Sequence, residues 1–217
     1  MITHNQPQHS LIQRVRRTSR RGMIRTSAAF AALGSVALAA CGGEQAAPFD
    51  RAFIDMMVPH HQGAVEMAKL AQQRGERPEI KQMADAIIRS QNDEITKMKS
   101  WRKEWYGSDK TPPMNKMPMV PGATTPGAAG SMSGMDHGAG GTMDMAKDVD
   151  TLRAAPAPFD RAFIDAMIPH HQSAIDAARA AETRAQKPEI KELAKAIGAD
   201  QQREIEQMRT WRRAWFG

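Results

Sequence analysis

The chain has 217 residues, room for one or two modest domains. Its formal charge of +6 and pI of about 9.7 suggest an acidic partner. However, six arginines (Arg14, Arg16, Arg17, Arg20, Arg21, Arg25) and no acid fall within residues 1–40, and the remainder holds 24 basic and 24 acidic side chains. That balance excludes an electrostatic footprint for DNA or RNA, and the single cysteine, Cys41, excludes an internal disulfide or a thiolate metal cluster.

The arginine-rich start runs into a short apolar stretch, Ala28 to Ala40, too short for a stable bilayer span. It ends in Leu38-Ala39-Ala40-Cys41-Gly42, which resembles a lipobox. Ser19-Arg20-Arg21-Gly22-Met23-Ile24-Arg25 resembles a twin-arginine export signal, with Met23 and Ile24 where that pattern prefers Phe and Leu. Residues 1–40 are therefore expected to be a lipoprotein signal peptide, Cys41 the lipidated residue, and 41–48 a tether. The protein is expected in the cell envelope, anchored to a membrane through its lipid and facing the periplasm. Gly42 in place of Asp after the cysteine points toward the outer membrane.

The segment from Phe49 recurs from Phe159: Phe49-Asp50-Arg51-Ala52-Phe53-Ile54-Asp55 returns as Phe159-Asp160-Arg161-Ala162-Phe163-Ile164-Asp165. The match runs without a gap to Gly107 and Gly217 with about half the positions identical, which marks a duplication. In each copy Asp50 or its counterpart is expected to cap a first helix, with Phe49 stapled onto Ile54. That helix runs to about Gln73 and stops at Gly75. Pro78 opens a second helix, whose apolar positions Ile80, Met83, Ala84, Ile87, Ile88, Ile95 and Met98 keep a helical period up to Trp101 and Trp105. Arg102, Lys103 and Glu104 read as a solvated helix end.

The turn between the helices is only a few residues, so each copy (49–107 and 159–217) is an antiparallel hairpin. The expected fold is all-α, two hairpins burying their apolar stripes in a four-helix bundle. Residues 108–158, rich in Gly, Pro, Ala, Thr and Met, lack apolar periodicity and read as a flexible linker.

Met57-Val58-Pro59-His60-His61-Gln62, echoed by Met167-Ile168-Pro169-His170-His171-Gln172, is the distinctive cluster. Met57, His60 and His61 stand at i, i+3 and i+4 on one side of a helix, and imidazole with thioether is a donor set suited to soft or borderline metals such as copper. Pro59 inside the helix removes a backbone bond and is expected to kink it. Adjacent histidines point about 100° apart on a helix, so packing is the competing role. Met67, Met98 and Met208 at helical spacing fit either a thioether ligand or core filler. Of 14 methionines after residue 40, seven lie in the linker: Met114, Met117, Met119, Met132, Met135, Met143 and Met145. With His137 beside Met135, they resemble copper-capturing segments, because a thioether has no proton to lose and holds copper(I) even under acidic conditions.

Phe-Asp-Arg-Ala-Phe-Ile-Asp, Met-x-Pro-His-His-Gln and Glu-Ile-x-x-Met-x-x-Trp together resemble the family named domain of unknown function 305, in two tandem copies. The resemblance implies a ferritin-like helical bundle and periplasmic copper binding through Met57, His60, His61, Met67 and Met98 and through Met167, His170, His171 and Met208. The second copy has Ala177 where the first has Met67. Copper(I) is the favoured ion, with copper(II) or silver(I) as alternatives. The implied role is sequestration or relay, with self-association or a copper-transport protein as partner. No histidine has Glu three residues before it, as a di-iron bundle requires, and no nucleophile with a base is recognisable, so an enzyme is not expected. A helical interaction module with structural His-His pairs is the competing function.

Overall fold

The computed structural model describes residues 48–120 and 142–217. The signal, Cys41, Met132, Met135 and His137 lie outside the described residues. Four long helices carry the fold: α1 (Phe49–Arg74), α2 (Pro78–Tyr106), α4 (Phe159–Arg184) and α5 (Pro188–Phe216), with a short α3 (Met145–Arg153) before the second pair. α1 packs against α2 and α4 against α5, and the two hairpins dock through α1 on α4 within one chain. This is the expected all-α four-helix architecture. No described helix is long and apolar enough to cross a membrane.

The boundaries follow local chemistry. Pro78 and Pro188 occupy the first helical position, where a missing N–H costs nothing, with Glu79 and Glu189 at the positive end of the dipole. α2 ends at Gly107, whose φ of 78° is a left-handed cap that favours glycine. Gly75 is different. Its φ of −59° is open to any residue, and what favours glycine is close approach, since a Cβ there would overlap the Ala71 carbonyl oxygen; Ala185 closes α4 at φ −62° with the same bond back to the preceding turn. α1 stays helical through Pro59.

Asp50 is not the N-cap expected from the sequence. Pro48 takes the cap position, and Asp50 lies inside the first turn, 3% exposed. Its carboxylate reaches the other hairpin and accepts from the backbone N–H of Gln186 at 3.0 Å and of Lys187 at 3.2 Å. Asp160 returns the arrangement, accepting from Glu76 N–H at 2.8 Å and Arg77 N–H at 3.1 Å. Each first helix thus holds the turn between the two helices of the other copy. Cations make the same exchange: Lys187 Nζ sits 4.8 Å from the ring of Trp105, and the Arg77 guanidinium 4.4 Å from that of Trp215.

Arg102 also departs from expectation. Lys103 and Glu104 are exposed, but Arg102 is buried. Its Nε donates to Asp55 Oδ1 at 2.5 Å, Nη2 to Oδ2 at 3.3 Å, and Nη1 to the Ser108 carbonyl at 2.6 Å. Asp55 sits on the turn of α1 that faces the end of α2, so the pair ties the hairpin's open end.

The apolar interior forms two clusters. The first joins the start of α1 (Phe53, Ile54, Met57) to the end of α4 (Ala174, Ala178) and the start of α5 (Ile190, Ile197), with Ile95 and Met98 of α2. The second joins the end of α1 (Ala64, Met67) to the start of α4 (Phe163, Met167), with Ile80 and Ile87 of α2 and Ile205 and Met208 of α5. This order requires α1 and α4 to run antiparallel, and it leaves residues 60–61 and 170–171 where the clusters meet.

The segment read as a flexible linker is folded over its described parts. Met114–Lys116 form a 3-10 turn, and strand β1 (Met117–Pro118) pairs antiparallel with β2 (Thr142–Met143), Met117 opposite Met143. α3 follows, its start capped by Asp144, which accepts from Lys147 N–H at 3.1 Å. Met117, Val120, Met145, Val149 and Leu152 are buried. The apolar spacing of Met145, Val149 and Leu152 is that of a short amphipathic helix, hidden in the sequence by its Gly/Pro-rich surroundings. Core packing, which a disordered segment would forbid, is therefore a role that Met117 and Met145 fill.

Candidate metal centre

The two histidines of each pair separate. On α1 they point to different neighbours, as a 100° step requires. His60 faces the other hairpin: its ring centroid is 3.8 Å from that of His170, and its Nε2 donates to Ser173 Oγ at 2.8 Å. Ser173 in turn donates to the His170 carbonyl at 2.7 Å, so its hydroxyl oxygen is left as an acceptor for His60. His61 stays within its own hairpin, donating from Nε2 to Glu94 Oε2 at 2.6 Å. His171 does the same to Glu204 at 2.6 Å. His60 and His61 rings stand 6.2 Å apart, as do those of His170 and His171.

All four imidazoles are buried. Burial pushes His60 well below the usual histidine range, with His61 and His171 adding to it and the backbone of His170 opposing. His170 is pushed down in the same way, by burial first and then by His60, His171 and His61, with the backbone of His60 opposing. Charging a group already desolvated and beside other imidazoles is costly. The two rings at the centre are therefore neutral and keep lone pairs.

Those lone pairs are unspent. Nδ1 of His60, His61 and His171 and both ring nitrogens of His170 have no hydrogen-bond partner among the described residues. Buried polar atoms are seldom left so. In His61 and His171 the carboxylate holds the proton on Nε2 and leaves the buried Nδ1 with a free lone pair, an arrangement also found where an outer carboxylate orients a metal-binding imidazole.

The thioethers expected as ligands fall on both sides of this centre. Met57 and Met98 are fully buried in the first cluster, while Met167 and Met208 are fully buried in the second. Met67 does not join the Met57 and Met98 of its own copy. It packs in the second cluster, with Met167 and Met208. Met56, Met117 and Met145 add to the first cluster, which is thereby the richer in sulfur. No group of three or more His, Cys, Asp or Glu side chains among the described residues could hold an ion. Neither a carboxylate cage for a hard cation nor an all-imidazole set of three ligands is thus formed by these residues. Neutral imidazole nitrogens without partners, flanked by thioethers, fit a soft ion.

Several residues escaped the sequence argument. Glu94 and Glu204 were visible as a repeated pair, but their bond to the histidines needs α2 folded on α1. Asp50 and Asp160 recur at the same offset, which signals a shared role without saying that the acceptor is on the other copy. Ser173 carried no signal, because its counterpart is Gly63.

The family described as Domain of unknown function (DUF305) matches residues 50–212. Among solved structures, CopM in its Cu(I)-bound form is 36% identical, covers 77% of this chain and 98% of its own length, and superposes with a TM-score of 0.59. CopM in its Cu(II)-bound form is 40% identical over 77% of this chain and 97% of its own, with a TM-score of 0.58. A putative secreted DUF305 protein from Streptomyces coelicolor, 22% identical over 74% of this chain and 90% of its own, has a TM-score of 0.58 and shares the fold. The uncharacterized protein L153 of Acanthamoeba polyphaga mimivirus is 43% identical over 51 residues, which span 24% of this chain and 34% of that protein. With most of its length matched by the family and CopM alike in sequence and fold, the chain belongs to the DUF305 family.

Proposed function

We propose that the protein binds copper(I) at the junction of its two hairpins, with silver(I) and copper(II) as ions it also accepts, and sequesters or relays the metal in the cell envelope. The observation that carries this reading is the set of buried, unpartnered imidazole nitrogens of His60, His61, His170 and His171. Methionines flank them, and soft thioethers with imidazole favour copper(I). Its relative CopM has been solved with Cu(I), Cu(II) and Ag bound. Met57 and Met98 on one side and Met67, Met167 and Met208 on the other are the proposed thioether donors, with release by ligand exchange. Met135 and His137 are proposed as an outer capture segment, and lipidated Cys41 as the membrane anchor in the periplasm. The proposed role is binding and delivery rather than catalysis, with a copper-transport protein or a second copy as partner.

The test is competition of the full chain for copper(I) against a chromophoric chelator, beside a variant with all four histidines changed to Gln and one with Met132, Met135 and His137 changed to Ser. Tight binding that collapses in the histidine variant is the expected result, with circular dichroism confirming that the helices persist. Binding lost only in the linker variant would move the site out of the bundle. No tight binding by the parent would leave a helical interaction module as the better account.

A further inference from the structure

The two halves of the centre differ at one position. Residue 173 is Ser in the second copy, and its hydroxyl occupies the Nε2 of His60 at 2.8 Å. The corresponding residue of the first copy is Gly63, which lies against His170. A Cβ at Gly63 would stand 3.4 Å from His170 Nε2, 3.4 Å from Met145 Cβ and 3.8 Å from Met145 Cγ. The glycine therefore leaves room the size of a methyl group, in contact with an unpartnered imidazole nitrogen and with a methionine stem. The thioether sulfur is one bond beyond that Cγ.

We propose that His170 Nε2 and the Met145 thioether form a soft-metal site of their own, which Gly63 makes room for and Ser173 denies to the other half. The proposal rests on the copper-binding reading above and deepens it by naming the ligands of one site. His170 is 5% exposed and Met145 3% exposed, so both donors are already withdrawn from water. Met145 is the first residue of α3, and its place is held from both sides. Asp144 caps the helix, and Met143 just before it pairs with Met117 in the two-stranded ladder. α3 packs on both α1 and α4. Leucine would fill the same apolar space, but it would leave the nitrogen opposite without a soft donor. Because the connecting segment occurs once between the copies, it supplies a methionine to one half only.

The full chain is titrated with copper(I) against a competing chelator, and sulfur ligation is read by X-ray absorption, for the parent, Met145→Leu and Gly63→Ser. Both substitutions are expected to weaken the tightest site about tenfold or more, the scale on which metal sites respond to a lost supporting group. Met145→Leu should also reduce the sulfur signal. Gly63→Ser acts by placing a hydroxyl on His170 Nε2, as Ser173 does on His60. A parent that binds tightly with both variants at parental affinity overturns this site and leaves the copper-binding reading standing. A parent that does not bind overturns both. Should Met145→Leu lose its helical signal, the methyl resonance of Met145 in the parent decides: a shift on adding silver(I) supports the site, and an unmoved resonance overturns it.

Discussion

The carboxylate of Asp50 accepts the backbone N–H of Gln186 at 3.0 Å, joining residues that lie in different repeats. Its mirror bond runs from Glu76 to Asp160 at 2.8 Å. Each copy thereby completes the turn of the other, and this exchange, more than any contact within a copy, specifies how the hairpins dock.

Asp50→Ala should cost about 1–3 kcal/mol, the usual effect of removing a charged acceptor from backbone donors. Asp160→Ala should cost a similar amount. The two carboxylates serve opposite ends of the docked helices, so the double variant should show nearly the sum. Urea unfolding followed at 222 nm measures both. A double variant as stable as the parent would show that these bonds do not hold the hairpins together.

Glu94→Gln and Glu204→Gln test the proposed centre from its outer edge. The amide can accept from Nε2–H through its oxygen but no longer strengthens the ring as a donor. Copper(I) affinity is expected to fall about 10–100-fold, with helicity unchanged. A chelator competition assay on each variant gives the answer. Unaltered affinity would mean that His61 and His171 hold no metal.

The stability of the metal-free protein should depend on pH through His60 and His170. Burial holds both well below the usual value in the fold, whereas in the unfolded chain they titrate near 6.5. Below about pH 6.5 the unfolded state therefore binds more protons, and stability falls with pH by up to about 1.4 kcal/mol per unit for each ring. The loss continues until the folded rings themselves take protons. His60→Gln/His170→Gln should flatten the urea midpoint plotted from pH 7.5 to pH 5.

Asp148 on α3 contributes the opposite slope. Burial first, then Asp144, raises its carboxyl from 3.8 to about 6, with Lys147 opposing. The folded state thus holds this proton more tightly, and stability falls as pH rises from about 4 to about 6. Asp148→Asn should raise stability at pH 7 by about 1 kcal/mol, discounted for the partial exposure of the group. Thermal melts at pH 4 and pH 7 should show the gain only at the higher value.

Arg102 and Arg212 occupy the same place in the two copies, yet Arg102 is 7% exposed beside Asp55 and Arg212 is 35% exposed beside Asp165. Arg102→Ala leaves the half-buried Asp55 only the exposed Arg51, 3.4 Å away, and is expected to cost about 3 kcal/mol. Arg212→Ala should change stability little. Equal losses in denaturant unfolding would contradict the inequality of the two ends.

The amino-acid sequence by itself determined the duplication, the hairpin in each copy, the helix ends at Pro78 and Gly107, and the His-His pair as the place to look for chemistry. These are local properties: periodic apolar positions, a proline that suits a first turn, a glycine that suits a left-handed cap. The tertiary structure decided what those residues meet. A helical period says that His60 and His61 diverge, but only the docking of α1 on α4 sends His60 to His170 and leaves His61 to Glu94. Asp50 has the chemistry of a cap, yet the N–H groups that it binds belong to residues 186 and 187 in the turn of the other copy, brought near by packing of two apolar stripes. Met145 lies in a stretch whose composition reads as disordered, and it is buried because Val149 and Leu152 share its face and α1 and α4 offer a surface to cover. Contacts between residues far apart in sequence are set by which surfaces can be buried together, and no local pattern encodes that choice.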